Sequence, residues 1–167
     1  MKIIVAVDQK NGIGLNNGLP WKFATDMKHF RTLTTGQNKN CIIMGKNTHI
    51  SIGKALPNRD NLILSTSLSN NQDGTMVFNT LKSLVNHVNY HINQYDDVWI
   101  IGGASIYSLF MQHNLVSEVY LTRIHADYDC DTFFPEIDLN IFCEDVSFSK
   151  TAQENNTKLS FHKFIRK

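Results

Sequence analysis

Cysteine is scarce and scattered in this sequence of 167 residues. Cys41, Cys130 and Cys143 are odd in number and show none of the paired spacing that zinc sites and disulfide scaffolds require. A small secreted domain held by disulfides is therefore excluded, as is a structural zinc domain. We expect three free thiols in a cytosolic protein.

Long hydrophobic runs are also missing. The longest apolar stretch, Val98 to Met111, has 14 residues that include two glycines and two serines, whereas a membrane-spanning helix needs ~20 apolar residues. The apolar segment at the start of the chain ends at Val7, before Asp8, and is too short for the core of a signal peptide. We therefore expect neither a membrane span nor export.

No charge of either sign dominates. The 16 Lys and Arg residues against 15 Asp and Glu residues leave a net charge of +1, so no overall field attracts nucleic acid or anionic lipid. An anionic ligand would have to bind at a local site. The hydrophobic content of 42% at this length predicts one globular domain over residues 1–167. No stripe of exposed apolar residues suggests a dimer, so we expect a monomer.

The chain alternates between segments typical of strands and of helices. Continuous β-branched or apolar segments predict buried strands, and apolar residues at helical spacing predict helices. The predicted strands are Ile3–Val7, Cys41–Met44, Leu62–Ser65, Met76–Phe78, Val98–Ile101, Val119–Ile124 and Lys158–Ile165. The predicted helices are one with Phe23, Met27, Phe30 and Thr34 on its apolar face, a short one from about Thr48, one with Leu81, Leu84, Val85, Val88 and Ile92 on one face, and one from Ala104 to Met111.

This order of elements predicts an α/β fold. We expect a doubly wound, mostly parallel sheet of about eight strands with an antiparallel carboxyl-terminal edge and four flanking helices. In the last strand, Leu159 and Phe161 should point inward and Ser160 and His162 outward. Ligands of such sheets bind at the carboxyl ends of the strands.

Two predicted strand-to-helix turns contain glycine. Gly102-Gly103 precedes one helix, and Met44–Thr48 leads into another with Lys46 for a phosphate and Thr48 as a cap. Free N–H groups and the helix dipole suit an anion there. Each turn alone fits a tight connection that merely needs glycine, but the pair favours a ligand with several phosphates, such as a dinucleotide. Hydroxyls in Leu64–Ser67 could bind a ribose phosphate beside Lys46.

The segment Asn11–Pro20 is rich in turn residues. Gly12, Gly14 and Gly18 are similar to the glycine fingerprint of dinucleotide folds, but that fingerprint needs a strand ending at the first glycine and a helix starting at the last. Neither condition is met here. We favour a mobile loop of functional importance over a Rossmann turn.

Asp26 lies near the start of the first helix, among the apolar residues Trp21, Met27 and Phe30. An acid at this place is most often a helix cap or a partner of the helix dipole. Taken alone, the local sequence favours that structural role. The surrounding motifs favour a functional one.

Five motifs together resemble the dihydrofolate reductase family in order and spacing. They are Leu19-Pro20-Trp21 followed by Asp26, Met44-Gly45-Lys46-Asn47-Thr48, Leu56-Pro57-Asn58-Arg59, Ile101-Gly102-Gly103-Ala104-Ser105-Ile106-Tyr107 and Asp131-Thr132-Phe133-Phe134-Pro135. The resemblance runs from Ile3 to the carboxyl end. It implies NADPH-dependent reduction of 7,8-dihydrofolate to 5,6,7,8-tetrahydrofolate, and the chain length leaves no room for a fused thymidylate synthase.

The resemblance implies how the substrate is bound. Asp26 would bind the 2-amino group and N3 of the pteridine and promote protonation at N5, with Trp21 and Thr122 in its hydrogen-bond surroundings. Leu19 would cover the nicotinamide. Arg59 would clamp the α-carboxylate of the glutamate tail, assisted by Arg31 and Lys54. The implied catalytic residues are Asp26, Trp21, Thr122 and Leu19, and the implied substrate-binding residues are Ile4, Val5, Ala6, Asp26, Met27, Phe30, Arg31, Ser51, Ile52, Leu56, Arg59, Ile101, Tyr107 and Thr122.

The resemblance also implies NADPH as the cofactor. Gly102-Gly103 should form a cis peptide beside the diphosphate. Lys46 with the hydroxyls after Leu64 suggests NADPH over NADH, while Ser105 stands where the family often has a basic residue and His49 where it has a large aromatic one. The implied cofactor-binding residues are Ala6, Ile13, Gly14, Leu15, Gly18, Leu19, Gly45, Lys46, Asn47, Thr48, Leu64, Ser65, Thr66, Ser67, Ile101, Gly102, Gly103, Ala104, Ser105, Ile106 and Tyr107.

Two other functions share part of this pattern. Pyrimidine reductases of the same fold use the same cofactor cradle, but they do not pair Pro20-Trp21 with an acid at Asp26 and a clamp at Arg59. A non-catalytic module could keep the fold to bind folate or a protein. We expect dihydrofolate as the small-molecule substrate, antifolates as inhibitors, a cytoplasmic location, and no membrane or nucleic-acid partner.

No metal site is expected. His87 and His91 lie four residues apart on a predicted helix, a spacing that can hold a metal ion, but no third ligand is evident. We interpret them as part of a solvated face. His49 is assigned to the margin of the core.

Overall fold

A computed structural model describes residues 1–68 and 74–167 of the chain. The strands are β1 (Lys2–Val7), β2 (Gly12–Gly14), β3 (Asn40–Gly45), β4 (Arg59–Leu64), β5 (Thr75–Phe78), β6 (Val98–Gly102), β7 (Glu118–Ile124), β8 (Thr132–Phe133), β9 (Phe142–Glu144), β10 (Lys150–Glu154) and β11 (Thr157–Arg166). The helices are α1 (Ala24–Thr35), α2 (Lys46–Ile52), α3 (Leu81–Tyr90) and α4 (Ala104–Gln112), and Ile92–Gln94 forms a single 3₁₀ turn. The predicted strands and helices are thus present, with shifts of a few residues at their ends.

One sheet organises the fold. Its strand order is β10-β11-β7-β1-β6-β3-β4-β5, and the short β9 pairs with β11 beside this series. Neighbours from β7 to β5 are parallel, whereas β11 is antiparallel to β7, β9 and β10. The predicted mostly parallel sheet with an antiparallel carboxyl-terminal edge is confirmed.

The two faces of the sheet carry different layers. Alternation along β1 places Ile3 and Val5 in a core cluster with apolar residues of α3 and α4, while Ile4 belongs to a second cluster with apolar residues of α1 and α2. Helices therefore cover both faces, as in a doubly wound fold. The face of Ile4 is the one that α1, and with it Asp26, lies on.

Part of the predicted irregular loop is a strand. β2 pairs antiparallel with β8, the Asp131 N–H donates to Gly14 O at 3.0 Å, and the Asp131 carboxylate accepts from the Asn16 N–H at 2.8 Å. Gly12 is packed so tightly that a Cβ atom there would lie 2.5 Å from Cys130 Cβ. The segment at 131–135 thus anchors the loop that carries Leu19.

Three local predictions are wrong. Helix α2 begins at Lys46, because the extended Gly45 connects β3 directly to the helix, so Thr48 lies inside the first turn and is not the cap. Ile92 is outside α3 and 47% exposed. Ser160 is buried, because the imidazoles of His125 and His162 cover it and approach its Oγ at 2.8 and 2.9 Å.

The interpretation of His87 as solvated is also wrong. Its ring is half-buried against Phe78, with centroids 5.0 Å apart, and burial lowers its pKa, with the nearby His91 lowering it further. Within residues 1–68 and 74–167 no group of three or more His, Cys, Asp or Glu side chains is arranged to hold a metal ion. The cysteines of the chain are free, as predicted.

Within those same residues, no helix is both long and apolar enough to cross a membrane.

Candidate active site

Asp26 is the third residue of α1. Its carboxyl is hydrogen-bonded to the hydroxyl of Thr122, which is only 2% exposed and pairs with Ala6 of β1. Burial raises the pKa of Asp26 above its ordinary value of 3.8; the hydrogen bond from Thr122 lowers it by less, and the charge of Glu154 raises it again. A partly buried acid that holds its proton more tightly than usual is suited to proton transfer.

The cap at the start of α1 comes from elsewhere in the chain. Phe23 is the N-cap residue and offers no side-chain hydrogen bond. Instead, the two carboxylate oxygens of Glu154 accept from the backbone N–H groups of Ala24 at 2.7 Å and Thr25 at 2.9 Å. Glu154 thus caps the helix, which is the structural role that the local sequence favours for Asp26. The Asp26 carboxyl interacts with Thr122 instead.

Apolar side chains cover the face of the sheet on which α1 and this acid lie. The cluster on its face of the sheet includes Ile4, Phe30, Ile52, Leu56 and Ile101. Ala6 packs in the adjoining cluster with Trp21. Apart from Trp21, which is an implied catalytic residue, these positions are among the implied substrate residues, and the fold brings them together.

Three other implied substrate residues lie differently. The side chain of Val5 points to the opposite face and packs in the other core cluster, so contact with a ring bound on the Asp26 face would have to come from its main chain. Met27 is 49% exposed and Ser51 is exposed. Neither contributes to the buried wall.

Tyr107 joins α4 to the strand beside Asp26. Its buried hydroxyl donates to the carbonyl oxygen of Ile4 at 2.9 Å. Burial raises the pKa of Tyr107 and the charge of Asp26 raises it further. The phenol therefore stays neutral and holds the main chain of β1 in place.

Trp21 is buried and packs edge-on against Tyr128, with ring centroids 5.2 Å apart. Its indole Nε1 is buried and has no hydrogen-bond partner among the residues that the structure describes. Buried N–H groups rarely lack an acceptor. This N–H is therefore available to a bound molecule.

Arg59 lies at the other end of α1. Its Nη1 donates to Thr34 Oγ1 at 2.7 Å and its Nε to Pro57 O at 3.0 Å. Burial lowers the pKa of Arg59, and the charge of Arg31 lowers it further. Thr34 follows Asp26 by eight residues, or ~12 Å along the helix axis, so α1 carries the acid near its start and contacts the guanidinium near its end. Lys54 is exposed, and nothing in the described structure connects it to Arg59.

Two strand-to-helix turns meet on neighbouring strands. Met44 of β3 pairs with Gly102 of β6, the predicted cis peptide Gly102-Gly103 is present, and a Cβ atom on Gly103 would lie 3.5 Å from Thr48 Oγ1. Neither α2, with Gly45 as N-cap, nor α4 has a side-chain cap. Uncapped N–H groups at two adjacent helix starts fit a ligand with several phosphates.

Lys46 supplies the charge at this place. Its Nζ donates to Ser67 Oγ at 3.1 Å, which brings the start of α2 to the end of β4. The Ser65 hydroxyl is turned inward and accepts the N–H groups of Ser67 and Leu68, both at 3.2 Å. Exposed Thr66 and Ser67, together with Lys46, are therefore better placed for an anion than Ser65.

The sequence matches the model of one family, dihydrofolate reductase, across residues 1–166. The chain belongs to the dihydrofolate reductase family. The viral dihydrofolate reductase of Saimiriine herpesvirus 2 (strain 488) is 37% identical over 96% of this chain and 82% of the relative. The dihydrofolate reductase of Heliothis virescens is 34% identical over 85% and 82%, and that of Haemophilus influenzae 33% over 92% and 90%. The chain is thus an oxidoreductase of this family.

The remaining positions implied by the dihydrofolate reductase pattern lie around the two turns and on the loop that β8 anchors. Ile106 is buried beneath Gly45, where a Cβ atom would lie 3.0 Å from Ile106 Cγ1. His49, at the usually aromatic position, is partly buried, as expected for the core margin. Ile13, Gly14, Leu15, Gly18 and Leu19 lie on the anchored loop, Asn47 and Ser105 are exposed in the first helical turns, Leu64 is partly buried at the end of β4, and Ala104 begins α4.

Two residues that shape this site are not among those that the resemblance to the family implies. Glu154 caps α1 and Thr34 holds Arg59. The pair Asn155-Asn156 does signal a hairpin, because asparagine tolerates the positive φ angles that a two-residue turn requires. In the structure these angles are 50° and 60°. No local signal tells which helix that hairpin will contact.

Proposed function

We propose that this chain reduces 7,8-dihydrofolate to 5,6,7,8-tetrahydrofolate with NADPH. The observation that carries the proposal is the Asp26 carboxyl, which is partly buried, has a raised pKa, is bonded to Thr122 and is spared from capping its helix. As a carboxylate it can accept two parallel hydrogen bonds from the 2-amino group and N3 of a pteridine. The names of the relatives agree with this substrate.

The apolar wall orients the ring. Ile4, Phe30, Ile52 and Ile101 would pack against the pteridine and exclude water from its reacting edge. Leu19, 60% exposed on its anchored loop, has apolar surface to bury over the nicotinamide. NADPH, when bound, supplies the hydride that is transferred to C6.

Proton delivery to N5 is the task of Asp26 and its neighbours. The raised pKa of Asp26 keeps a proton available at higher pH than an ordinary carboxyl could. Thr122 holds the carboxyl by its hydrogen bond, and the unpartnered Nε1 of Trp21 can position a water or a substrate atom.

Arg59 would bind the substrate's tail. With Nη1 on Thr34 and Nε on Pro57, the guanidinium has its orientation fixed, and its other N–H groups would pair with the α-carboxylate. Arg31 adds positive charge nearby.

The cofactor phosphates would bind at the two turns. The first N–H groups of α4 after Gly102-Gly103 would hold the diphosphate, and Lys46 with Thr66 and Ser67 would hold the ribose phosphate. This supports NADPH over NADH. We further propose that the chain acts as one domain over residues 1–167, as a cytoplasmic monomer, and that antifolates compete for Asp26.

The test is NADPH oxidation by the purified chain with and without dihydrofolate, with tetrahydrofolate as the measured product. Dihydrofolate-dependent oxidation supports the proposal. Oxidation with the aminopyrimidine intermediate of riboflavin synthesis instead would indicate a pyrimidine reductase. Ligand binding by the folded chain without oxidation would indicate a non-catalytic module.

A further inference from the structure

The start of α1 is fixed by a distant hairpin. Both oxygens of Glu154 are used, one for the N–H of Ala24 and one for that of Thr25, across sequence separations of 130 and 129 residues. Glu154 ends β10, immediately before the turn into β11. The local sequence of α1 supplies no substitute, because its N-cap residue is Phe23.

This attachment determines where Asp26 lies. Asp26 follows Thr25 directly, so the two N–H groups that Glu154 holds belong to the same helical turn as the acid. Thr122, the hydrogen-bond partner of Asp26, lies on β7 opposite Phe161 of β11. The helix turn and its hydroxyl partner are therefore both attached to the β7-β11-β10 part of the sheet.

Glu154 also acts on Asp26 through its charge. The N–H bonds from Thr25 and Ala24 lower the pKa of Glu154, so it remains ionised where Asp26 titrates, and its negative charge raises the pKa of Asp26. The hydroxyl of Thr122 on β7 and the neutral phenol of Tyr107 on α4 also interact with Asp26.

We propose that Glu154 is a positioning residue for Asp26, which it holds through the first turn of α1 and keeps beside a fixed negative charge. The inference rests on the proposed function in so far as Asp26 is the acid of that reaction. If Glu154 only stabilised the helix, its replacement would leave the titration of Asp26 unchanged.

The experiment compares Glu154→Gln and Glu154→Ala with two control variants in the full chain. Thr80→Ala removes the side-chain cap of α3, where Thr80 Oγ1 accepts from the Ser83 N–H, and Glu136→Gln removes an exposed negative charge. The titration of the Asp26 carboxyl carbon is followed by NMR in the ligand-free protein, and its signal is assigned by its loss in Asp26→Asn. Melting curves and the pH profile of kcat/KM are recorded for each variant.

Glu154→Gln should move the titration of Asp26, and the bend in kcat/KM, to lower pH, and the shift should shrink in high salt. Glu154→Ala should also lower kcat/KM at neutral pH by roughly 3- to 30-fold, less than the ~100-fold that a 1 Å misplacement can cost. The control variants should leave the titration of Asp26 unchanged. An unshifted titration in both Glu154 variants, with only a loss of melting temperature like that of Thr80→Ala, would overturn the inference. If the parent chain does not turn over dihydrofolate, the proposed function fails, while the NMR titration still decides the role of Glu154.

Discussion

Arg59 and Thr34 form a short hydrogen bond, with 2.7 Å between Nη1 and Oγ1, and Thr34 in turn donates to the carbonyl oxygen of Phe30 at 2.8 Å. The buried hydroxyl is thus both acceptor and donor. It connects the guanidinium to the backbone of α1 and fixes the direction in which the remaining N–H groups point.

Replacing Thr34 by valine removes this hydroxyl at nearly constant shape. Thr34→Val should raise the KM for dihydrofolate several-fold by loosening Arg59, because a typical hydrogen bond contributes about 0.5–1.5 kcal/mol, with little change in kcat. Steady-state kinetics with dihydrofolate and with a pterin lacking the glutamate tail provide the measurement. An equal rise in KM for both ligands would mean that Thr34 acts on the ring pocket.

Arg59→Lys should have a larger effect of the same kind. Lysine keeps the charge but loses the planar fork that pairs with a carboxylate, so the KM for dihydrofolate should rise by about 10- to 100-fold, the equivalent of ~1.5–3 kcal/mol. Binding of the tail-less pterin should be nearly unchanged. If binding of both ligands were weakened comparably, Arg59 would not be the residue that binds the glutamate tail.

Lys46→Ala should reduce the preference for NADPH. Only NADPH carries a 2′-phosphate, and the lost charge-assisted pairing is worth ~1.5–3 kcal/mol, so the Kd for NADPH should rise far more than that for NADH. Ser67→Ala, which removes the hydroxyl bonded to Lys46, should give a smaller change in the same direction. Equal weakening of both cofactors by Lys46→Ala would assign Lys46 to the diphosphate or to the fold.

His29 should make the stability of the protein depend on pH. It packs edge-on against Phe161, with ring centroids 4.7 Å apart, and burial, with a smaller effect of Lys150, lowers its pKa to about 4 from 6.5. Between these two values the unfolded chain binds the proton and the folded protein does not, so His29 makes the free energy of unfolding fall as pH decreases from 6.5 toward 4.

Denaturant unfolding at a series of pH values measures this dependence. His29→Gln should flatten it between pH 6.5 and 4, whereas His113→Gln, at an exposed histidine, should leave it unchanged. A dependence that is the same in His29→Gln and in the parent would rule out His29 as its source.

The fold was largely predictable because its signals are local. Buried strands such as Ile3–Val7 are continuous apolar segments, and α1 shows its helical spacing directly. The errors arise where distant segments meet. Ser160 alternates with apolar residues, which is the pattern of an outward side chain. In the structure, however, His125, the residue that follows β7, covers it.

The site was predictable only in part, for the same reason. The local sequence of α1 favours Asp26 as a cap, and resemblance to a family had to outweigh that interpretation. The residue that makes the cap unnecessary, Glu154, is 130 positions away from Ala24. Likewise, nothing in the sequence shows that Ser65 uses its hydroxyl within its own turn.

The central claim is that Asp26 promotes protonation of the substrate, and the kcat/KM of Asp26→Asn as a function of pH tests it most directly. Asparagine keeps the shape but cannot hold the ionic pairing or promote protonation at N5. Melting curves of both proteins exclude unfolding as the cause of any loss.

We predict that the variant loses most turnover at neutral pH and gains kcat/KM continuously toward acid pH, because more dihydrofolate is then protonated in solution. The parent's profile should instead bend at the raised pKa of Asp26. Turnover of Asp26→Asn close to that of the parent at neutral pH would contradict the role of Asp26 and the mechanism built on it.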